Sequence, residues 1–219
     1  MKRAVICFTR VPKSGVTKTR LMPILSGSRC AGLHTAFLQD LSGVYDRMDA
    51  DLFVAHTADP DWETLKPIFP RARGFFPQVG ADLGEKMYRA IERVLERGYE
   101  AVVLTGADLP LMKKKHLEAG FAALDRADIA IGPTSDGGYY LIGMKAPHEE
   151  IFRVSGYGGA TALENTLTAG QQAGLEIALT LPCDDVDTPE DLRELMGRLS
   201  PESATFRYLQ QLKKEGVSL

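Results

Sequence analysis

Cysteine is scarce in this sequence, with three residues that lie far apart at Cys7, Cys30 and Cys183. Their number is odd and none forms a CxxC pair, which argues against a disulfide framework and against a structural zinc site. No apolar run approaches the roughly 20 residues that cross a bilayer, so we expect no membrane span. The apolar run near the N-terminus is too short for a signal peptide, and we therefore expect a cytoplasmic protein.

An excess of charge of one sign is also missing. The formal net charge is -3, which gives no overall attraction to nucleic acid or to an anionic membrane. Any anion must therefore be held by a local group of cations. The sequence has no GxSxG elbow, and its four histidines show no metal-ligand or triad spacing, so nucleophilic catalysis by serine or cysteine has no support.

What the sequence does contain is an alternation of apolar and amphipathic segments, typical of an α/β protein with a mostly parallel, doubly wound sheet flanked by helices. Strands are predicted at 4–8, 51–56, 73–78, 101–105, 128–133, 139–144 and 176–181. Helices are predicted over 28–48, 82–98, 114–125 and 160–173, and after Thr188 and Ser200. No linker divides the chain, so we expect a single domain, 1–219, in which 200–219 is a C-terminal helical extension.

The loop SGVTKTRL directly follows the first predicted strand, and ligands of such sheets bind beyond the carboxyl ends of the strands. Gly15 permits close approach of the backbone, while Lys18 and Arg20 supply charge for phosphate oxygens. The loop is not a Walker A motif, because Thr17 stands where that motif has glycine. A solvated basic loop is the alternative, and the position after the first strand favours phosphate binding.

Acidic residues follow two other predicted strands. Asp108 lies in LTGADLP, and Asp185 and Asp187 lie in DDVDTPEDL. Asp108 could instead cap the helix that follows it, and the segment from Asp187 to Glu190 is typical of a helix start. However, clustered carboxylates repel one another unless a cation compensates, and Mg²⁺ typically takes one or two carboxylates together with phosphate oxygens. We therefore favour a Mg²⁺ or Mn²⁺ site shared by Asp108 and either Asp187 or Asp185.

Two further strand ends carry candidate residues. Asp136, in GPTSDGGYYLIG, lies in a hairpin-like turn and could accept hydrogen bonds from substrate hydroxyls or act as a base. Gln78, in PQVGADLG, could read a nucleobase edge through its amide, whereas Asp82 in the same segment is better explained as a helix N-cap with Glu85 completing a capping box.

Five ordered motifs resemble one family: F-x-R-x-P-x-x-G-x-x-KTRL, Q-x-x-x-DLG-x-x-M, G-x-DLP, GP-x-x-DGGYYLIG and DVDTPEDL. They resemble the bacterial GT-A-type, nucleotide-diphospho-sugar transferase-like family, some members of which are labelled arsenosugar-biosynthesis glycosyltransferases. The same superfamily includes nucleotidyltransferases that make CMP-sugars, molybdopterin dinucleotides and guanylylated phospholactate. The resemblance covers residues 3 to about 196 and departs at SGYGGAT (155–161), where a Pro-Trp pair is expected.

The resemblance implies a GT-A fold with a Rossmann-like sheet, a nucleotide site in the N-terminal half and a metal at the turn after the fourth strand. It implies that Asp108 is the metal aspartate and Asp187 the second ligand, with Asp185 its rival. It also implies that Arg10, Lys18 and Arg20 face the phosphates. Together with the residues argued from their strand ends, the full set assigned to the nucleotide and its phosphates is Arg10, Gly15, Lys18, Arg20, Gln78 and Gly106.

We therefore expect a Mg²⁺- or Mn²⁺-dependent transferase that acts on a nucleotide-activated sugar, with Asp108, Lys18 and Asp136 as catalytic residues. A nucleotidyltransferase that moves NMP from an NTP to a phosphorylated small molecule is the alternative, and a non-catalytic nucleotide-binding protein is a second one. The expected partners are a nucleotide-sugar or NTP and a small-molecule acceptor, with no nucleic acid. The sequence leaves the oligomeric state open.

Overall fold

In the computed structural model, which describes residues 1–157 and 159–218, seven strands form one sheet. Numbered along the chain, they are β1 (Arg3–Thr9), β2 (Asp51–His56), β3 (Gly74–Pro77), β4 (Ala101–Thr105), β5 (Ile129–Pro133), β6 (Tyr139–Met144) and β7 (Ile177–Leu179). Their spatial order is β3-β2-β1-β4-β6-β5-β7. All pairs are parallel except those that β6 makes with β4 and β5, so the predicted mostly parallel α/β fold is confirmed.

Helices cover both faces of this sheet. They are α1 (Gly27–Tyr45), α2 (Leu83–Leu95), α3 (Lys114–Ala123), α4 (Ala162–Gln172), α5 (Pro189–Leu195) and α6 (Ala204–Lys214). Short 3-10 helices at Thr19–Leu21, Pro60–Leu65 and Glu149–Phe152 complete the described elements. The expected domain, 1–219, includes Gly158 and Leu219, which lie outside the described residues.

Side chains of the central strands alternate between the two faces, and all five residues of β4 are buried. On one face Val5 and Val103 join an apolar cluster with residues of α1 and α3, and on the other Ile6 and Val102 join one with α2. Burial of each such side chain contributes about 1.5–3 kcal/mol. A third cluster joins α1 to α5 and α6, so the C-terminal helix packs onto the body of the protein.

The strand order determines where the site can form. Because β1 and β4 are adjacent and parallel, the loop that follows β1 and the turn that follows β4 meet at the same edge of the sheet. The acidic segment before α5 joins them there, since the Val186 amide donates to the Asp108 carbonyl at 2.9 Å. Among the described residues, no helix combines the length and the apolar character that a bilayer crossing requires.

Candidate active site

The loop after β1 directs Lys18 inward. Lys18 is the one residue other than glycine with a positive φ (54°) in the described ranges. The loop is fixed on either side, because the Thr17 hydroxyl accepts from the Lys13 amide at 2.9 Å and Leu21 is fully buried. As a result the Lys18 side chain is only 2% exposed, which excludes the alternative of a solvated basic loop for this residue.

The Lys18 ammonium lies between two carboxylates that are distant in sequence. Its Nζ is 2.6 Å from Asp108 Oδ1 and 3.1 Å from Asp187 Oδ1, and it donates to the Val186 carbonyl at 2.5 Å. The ring of Phe37 lies below the ammonium, 5.0 Å from its centroid. The structure thus brings together the basic loop, the turn after β4 and the acidic segment, as the sequence predicted.

A histidine that the sequence did not single out completes this cluster. His34 Nδ1, from α1, lies 3.4 Å from the same Asp108 oxygen that Lys18 contacts. Burial alone would raise the pKa of Asp108, but the Lys18 charge and His34 outweigh it and hold that pKa well below its usual range. Asp108 is therefore ionised throughout the neutral pH range. His34 lies on the apolar face of α1, where spacing alone indicates a core residue.

A chamber of about 580 Å³ opens in front of these charges. Its wall includes most of the residues that the sequence analysis assigned to the nucleotide and its phosphates: Arg10, Lys18, Arg20, Gln78 and Gly106, with Asp108 and Asp187 beside them. Gly15 differs. It takes a positive φ of 75° and its backbone packs closely against Gly27 at the start of α1, so it shapes the loop and is not part of the chamber wall that the other residues form.

Gln78 lines the chamber, but most of its hydrogen-bonding capacity is already used. Its Nε2 donates to the carbonyls of Thr9 at 2.9 Å and Ala55 at 3.1 Å. The amide therefore ties the ends of β1 and β2 together. Of its polar atoms, Oε1 is the one left to accept from a nucleobase.

A second chamber of about 210 Å³ adjoins the first, and both share the Gly106–Asp108 turn. Asp136 lines it, as do three tyrosines, Tyr139, Tyr140 and Tyr157. The Asp136 carboxylate also stabilises its own turn, accepting from the Thr134 hydroxyl at 2.5 Å and from the Gly138 amide at 3.1 Å. Asp136 thus stabilises the predicted hairpin turn and also lines the smaller chamber.

Asp185 and Asp187 face different chambers. Asp187 lines the larger chamber with Lys18, whereas Asp185 lines the smaller one. Burial, followed by the charges of Asp187 and Asp136, raises the pKa of Asp185 to about 6. Their neighbour Asp191 has a structural role, because it forms a capping box with Thr188 at the start of α5. The clustered aspartates of this segment therefore differ in location and in role.

The carboxylates of Asp108 and Asp187 are oxygen donors suited to a divalent cation whose remaining ligands come from the substrate. The carboxylates of Asp108 and Asp187 both contact the Lys18 ammonium, both line the chamber, and are 38% and 35% exposed. Within residues 1–157 and 159–218 there is no group of three or more His, Cys, Asp or Glu side chains able to hold a metal without further ligands. A cation here would need phosphate oxygens or water as additional ligands, which is typical of Mg²⁺.

Comparison with known proteins agrees with this geometry. Residues 41–158 match the model of the family described as "Uncharacterized protein conserved in bacteria (DUF2064)". The chain belongs to this family. It is also homologous to 2-phospho-L-lactate guanylyltransferase of Methanothermobacter thermautotrophicus, with 30% identity over 93% of this chain and 89% of the relative. Phosphoenolpyruvate guanylyltransferase of Sphaerobacter thermophilus is 29% identical over 69% of this chain and 71% of the relative.

Solved structures agree with the fold of this family member. A candidate nucleotide-diphospho-sugar transferase from Desulfovibrio desulfuricans G20 superimposes with a TM-score of 0.89 and 31% identity, over 98% of this chain and 96% of that one. A cytidylyltransferase from Leptospira borgpetersenii shares the fold at a TM-score of 0.56 and 14% identity, over 99% of this chain and 95% of that one. The protein is a transferase, as predicted, and its relatives favour the nucleotidyl alternative over the glycosyl interpretation.

Proposed function

We propose that this family member is a nucleotidyltransferase that moves NMP from an NTP to a phosphorylated small molecule. An oxygen of the acceptor phosphate would attack the α-phosphorus, the bond from that phosphorus to the bridging oxygen would break, and pyrophosphate would leave. The observation that carries the proposal is the chamber in which Lys18, Arg10 and Arg20 stand beside Asp108 and Asp187. The named relatives are guanylyltransferases, which supports this choice of reaction.

The cations of the chamber have the charge and reach that triphosphate binding requires. Arg10 donates to the Val16 carbonyl at 3.3 Å, and this contact braces the loop. Arg20 Nη1 lies 3.8 Å from Asp187 Oδ2, while its side chain is otherwise largely exposed. A guanidinium group can bind two phosphate oxygens at once, and it can stabilise the negative charge that develops on departing pyrophosphate.

A divalent cation fits this reaction. Asp108 and Asp187 would hold it, and when bound it would supply positive charge to the phosphate oxygens. Because the low pKa of Asp108 keeps that carboxylate ionised, proton competition would not limit cation binding at neutral pH.

The second chamber is the natural place for the acceptor. It adjoins the first at the Gly106–Asp108 turn, so a molecule in it would lie next to the nucleotide phosphates. The relatives suggest GTP as the first nucleotide to examine. Gln78 Oε1 could accept a hydrogen bond from the N–H groups of guanine. Because every other base also offers an N–H donor, this contact alone does not select guanine.

The deciding measurement is pyrophosphate release from ATP, GTP, CTP and UTP with Mg²⁺ or Mn²⁺. The acceptor panel would contain 2-phospho-L-lactate, phosphoenolpyruvate and a set of sugar phosphates. We expect release with one nucleotide and one acceptor, and loss of that release in Asp108→Asn. Absence of release from every NTP over a broad acceptor panel would contradict the proposal.

A glycosyltransferase is the second candidate, favoured by the likeness to the Desulfovibrio protein. In the same experiment, UDP- and GDP-sugars replace the NTPs, and release of nucleoside diphosphate is measured. Release of diphosphate without any pyrophosphate from NTPs would select this second reaction.

A further inference from the structure

The contacts of Lys18 suggest a task besides phosphate binding. We infer that the Lys18 ammonium is the internal counter-cation of the site: it neutralises Asp108 and Asp187 while no nucleotide is bound, and it yields their carboxylates to the divalent cation when a triphosphate draws it away. This inference rests on the metal dependence included in the proposed function. It concerns the order and coupling of binding and not the identity of the reaction.

The first argument is the engagement of the ammonium. Lys18 Nζ donates hydrogen bonds to the carbonyl of Val186 and to Oδ1 of Asp187, and it forms a close ion pair with Oδ1 of Asp108. The side chain is only 2% exposed among these partners. Lys18 must therefore move away from at least one of them before it can bind a nucleotide phosphate closely.

The second argument is exclusion between like charges. Mg²⁺ binds oxygens at about 2.0–2.1 Å. The ammonium already lies 2.6 Å from Asp108 Oδ1 and 3.1 Å from Asp187 Oδ1. A metal ion that took these same two oxygens would stand almost in contact with the lysine charge. The lysine and the metal ion would therefore alternate at these two oxygens.

The third argument is the charge balance. Asp108 and Asp187 carry two negative charges, and Lys18 is the cation within close contact of both, while Arg20 approaches only Asp187, at 3.8 Å. With the lysine in place, the carboxylates attract a metal ion weakly. A triphosphate supplies the negative charge that moves the lysine and adds ligands to the metal, so each ligand strengthens binding of the other.

The left-handed backbone conformation of Lys18 is consistent with a side chain that exchanges its partners. Residues with a side chain seldom adopt the left-handed conformation, and such strained conformations persist when surrounding contacts hold them. Two of the contacts at Lys18 are the hydrogen bonds of its ammonium to the Val186 carbonyl and to Asp187 Oδ1, which the ammonium would leave. The left-handed backbone is therefore held in part by contacts that the exchange would break.

The test uses Lys18→Met and a matched control in the same loop. Methionine keeps an unbranched apolar stem and the same backbone preference, but it removes the charge. Lys13→Met is the control, because Lys13 also bridges two aspartates, Asp59 and Asp61, and does not line the chamber. Mn²⁺ affinity is measured by titration calorimetry and electron paramagnetic resonance, without nucleotide and with a non-hydrolysable GTP analogue or the analogue of the preferred NTP.

We expect the unmodified protein to bind Mn²⁺ weakly alone, and at least about tenfold more tightly with the analogue. Lys18→Met should bind Mn²⁺ alone at least about tenfold more tightly than the unmodified protein, because a unit charge close to the metal has gone. The analogue should then add less to its Mn²⁺ affinity than it adds in the unmodified protein. Lys13→Met should behave as the unmodified protein does.

Two results would overturn the inference: an unchanged Mn²⁺ affinity in Lys18→Met, including no binding at all, or coupling to the analogue equal to that of the unmodified protein. Thermal melting provides a second readout, since Mn²⁺ should raise the Tm of Lys18→Met more than that of the unmodified protein. Lys18→Gln replaces the methionine variant if that one does not fold. A protein that releases no pyrophosphate but shows these metal effects would refute the proposed reaction and leave the lysine exchange standing.

Discussion

Nδ1 of His34 lies 3.4 Å from Oδ1 of Asp108, the same oxygen that the Lys18 ammonium contacts at 2.6 Å. The other ring nitrogen, Nε2, lies 3.1 Å from the Thr9 hydroxyl at the end of β1. The imidazole is 2% exposed and is enclosed by the fold. It connects α1 and β1 to the turn after β4, and we regard it as a positioning residue for the Asp108 carboxylate.

Replacement of His34 tests this role. We expect His34→Ala to weaken Mn²⁺ binding in the presence of nucleotide by about 10- to 100-fold, as loss of a residue that orients a metal ligand typically does. His34→Asn should recover part of the loss, because its amide nitrogen can take the position of Nδ1. Calorimetric titration of Mn²⁺ at saturating nucleotide measures both effects.

His148→Ala is the control for that experiment, since His148 contacts Glu150 near the surface and lines neither chamber. Its Mn²⁺ affinity should stay unchanged. Equal affinities for His34→Ala and the unmodified protein would show that Asp108 is positioned without the imidazole.

Most of the fold could be predicted because its elements carry local signals. The alternation of strands and amphipathic helices gave every strand within a few residues, and the Asp82 N-cap is present, with its carboxylate accepting from the Glu85 amide at 2.8 Å. The prediction for α1 extended to residue 48, whereas the helix ends at Tyr45 and continues as a turn with shorter-range hydrogen bonds. Patterns of hydrophobicity continue through such turns and do not mark the end.

The convergence of the candidate residues at one edge of the sheet could be predicted, whereas their contacts with one another could not. Residues after strand ends had to converge, which placed Lys18, Asp108 and Asp187 at one edge. Which partners Lys18 chooses depends on a left-handed backbone at a residue that rarely adopts one, and no local pattern indicates it. His34 could not be separated from its apolar helical neighbours, since its contact with Asp108 is made across the fold.

Asp40 is predicted to be a major determinant of stability at the C-terminus. Its carboxylate accepts from the amides of Ala204 and Thr205, at 2.7 Å and 2.9 Å, and from the Thr205 hydroxyl at 2.5 Å. Asp40→Ala would leave three donors near a buried threonine without their acceptor. We expect a loss of about 1–3 kcal/mol in the free energy of unfolding, measured in urea.

Gln39→Ala, at the adjacent exposed position, is the control for Asp40 and should change the free energy of unfolding by less than about 0.5 kcal/mol. A loss of the same size in both variants would mean that the effect arises from α1 itself and not from the cap of α6.

The three cysteines are predicted to be unreactive in the folded protein. Burial raises the pKa of the Cys7 and Cys183 thiols to about 12, and it also raises the pKa of Cys30. A higher pKa leaves less thiolate, which is the reactive form, at any given pH. At about pH 8, Ellman's reagent should therefore titrate almost no thiol in the native protein and three in guanidinium chloride. Rapid reaction of one thiol under native conditions would contradict this assignment.

The two chambers predict different defects for the two rival aspartates. Asp187 contacts Lys18 in the chamber with the basic loop, so Asp187→Asn should weaken the binding of nucleotide with Mn²⁺ by at least about tenfold. Asp185 faces the smaller chamber, so Asp185→Asn should leave that binding within about twofold and instead raise the KM for the acceptor. Calorimetry with the nucleotide and steady-state kinetics with the acceptor separate these outcomes. If Asp185→Asn loses nucleotide and metal binding while Asp187→Asn keeps it, Asp185 is the metal ligand and the order of the two residues must be reversed.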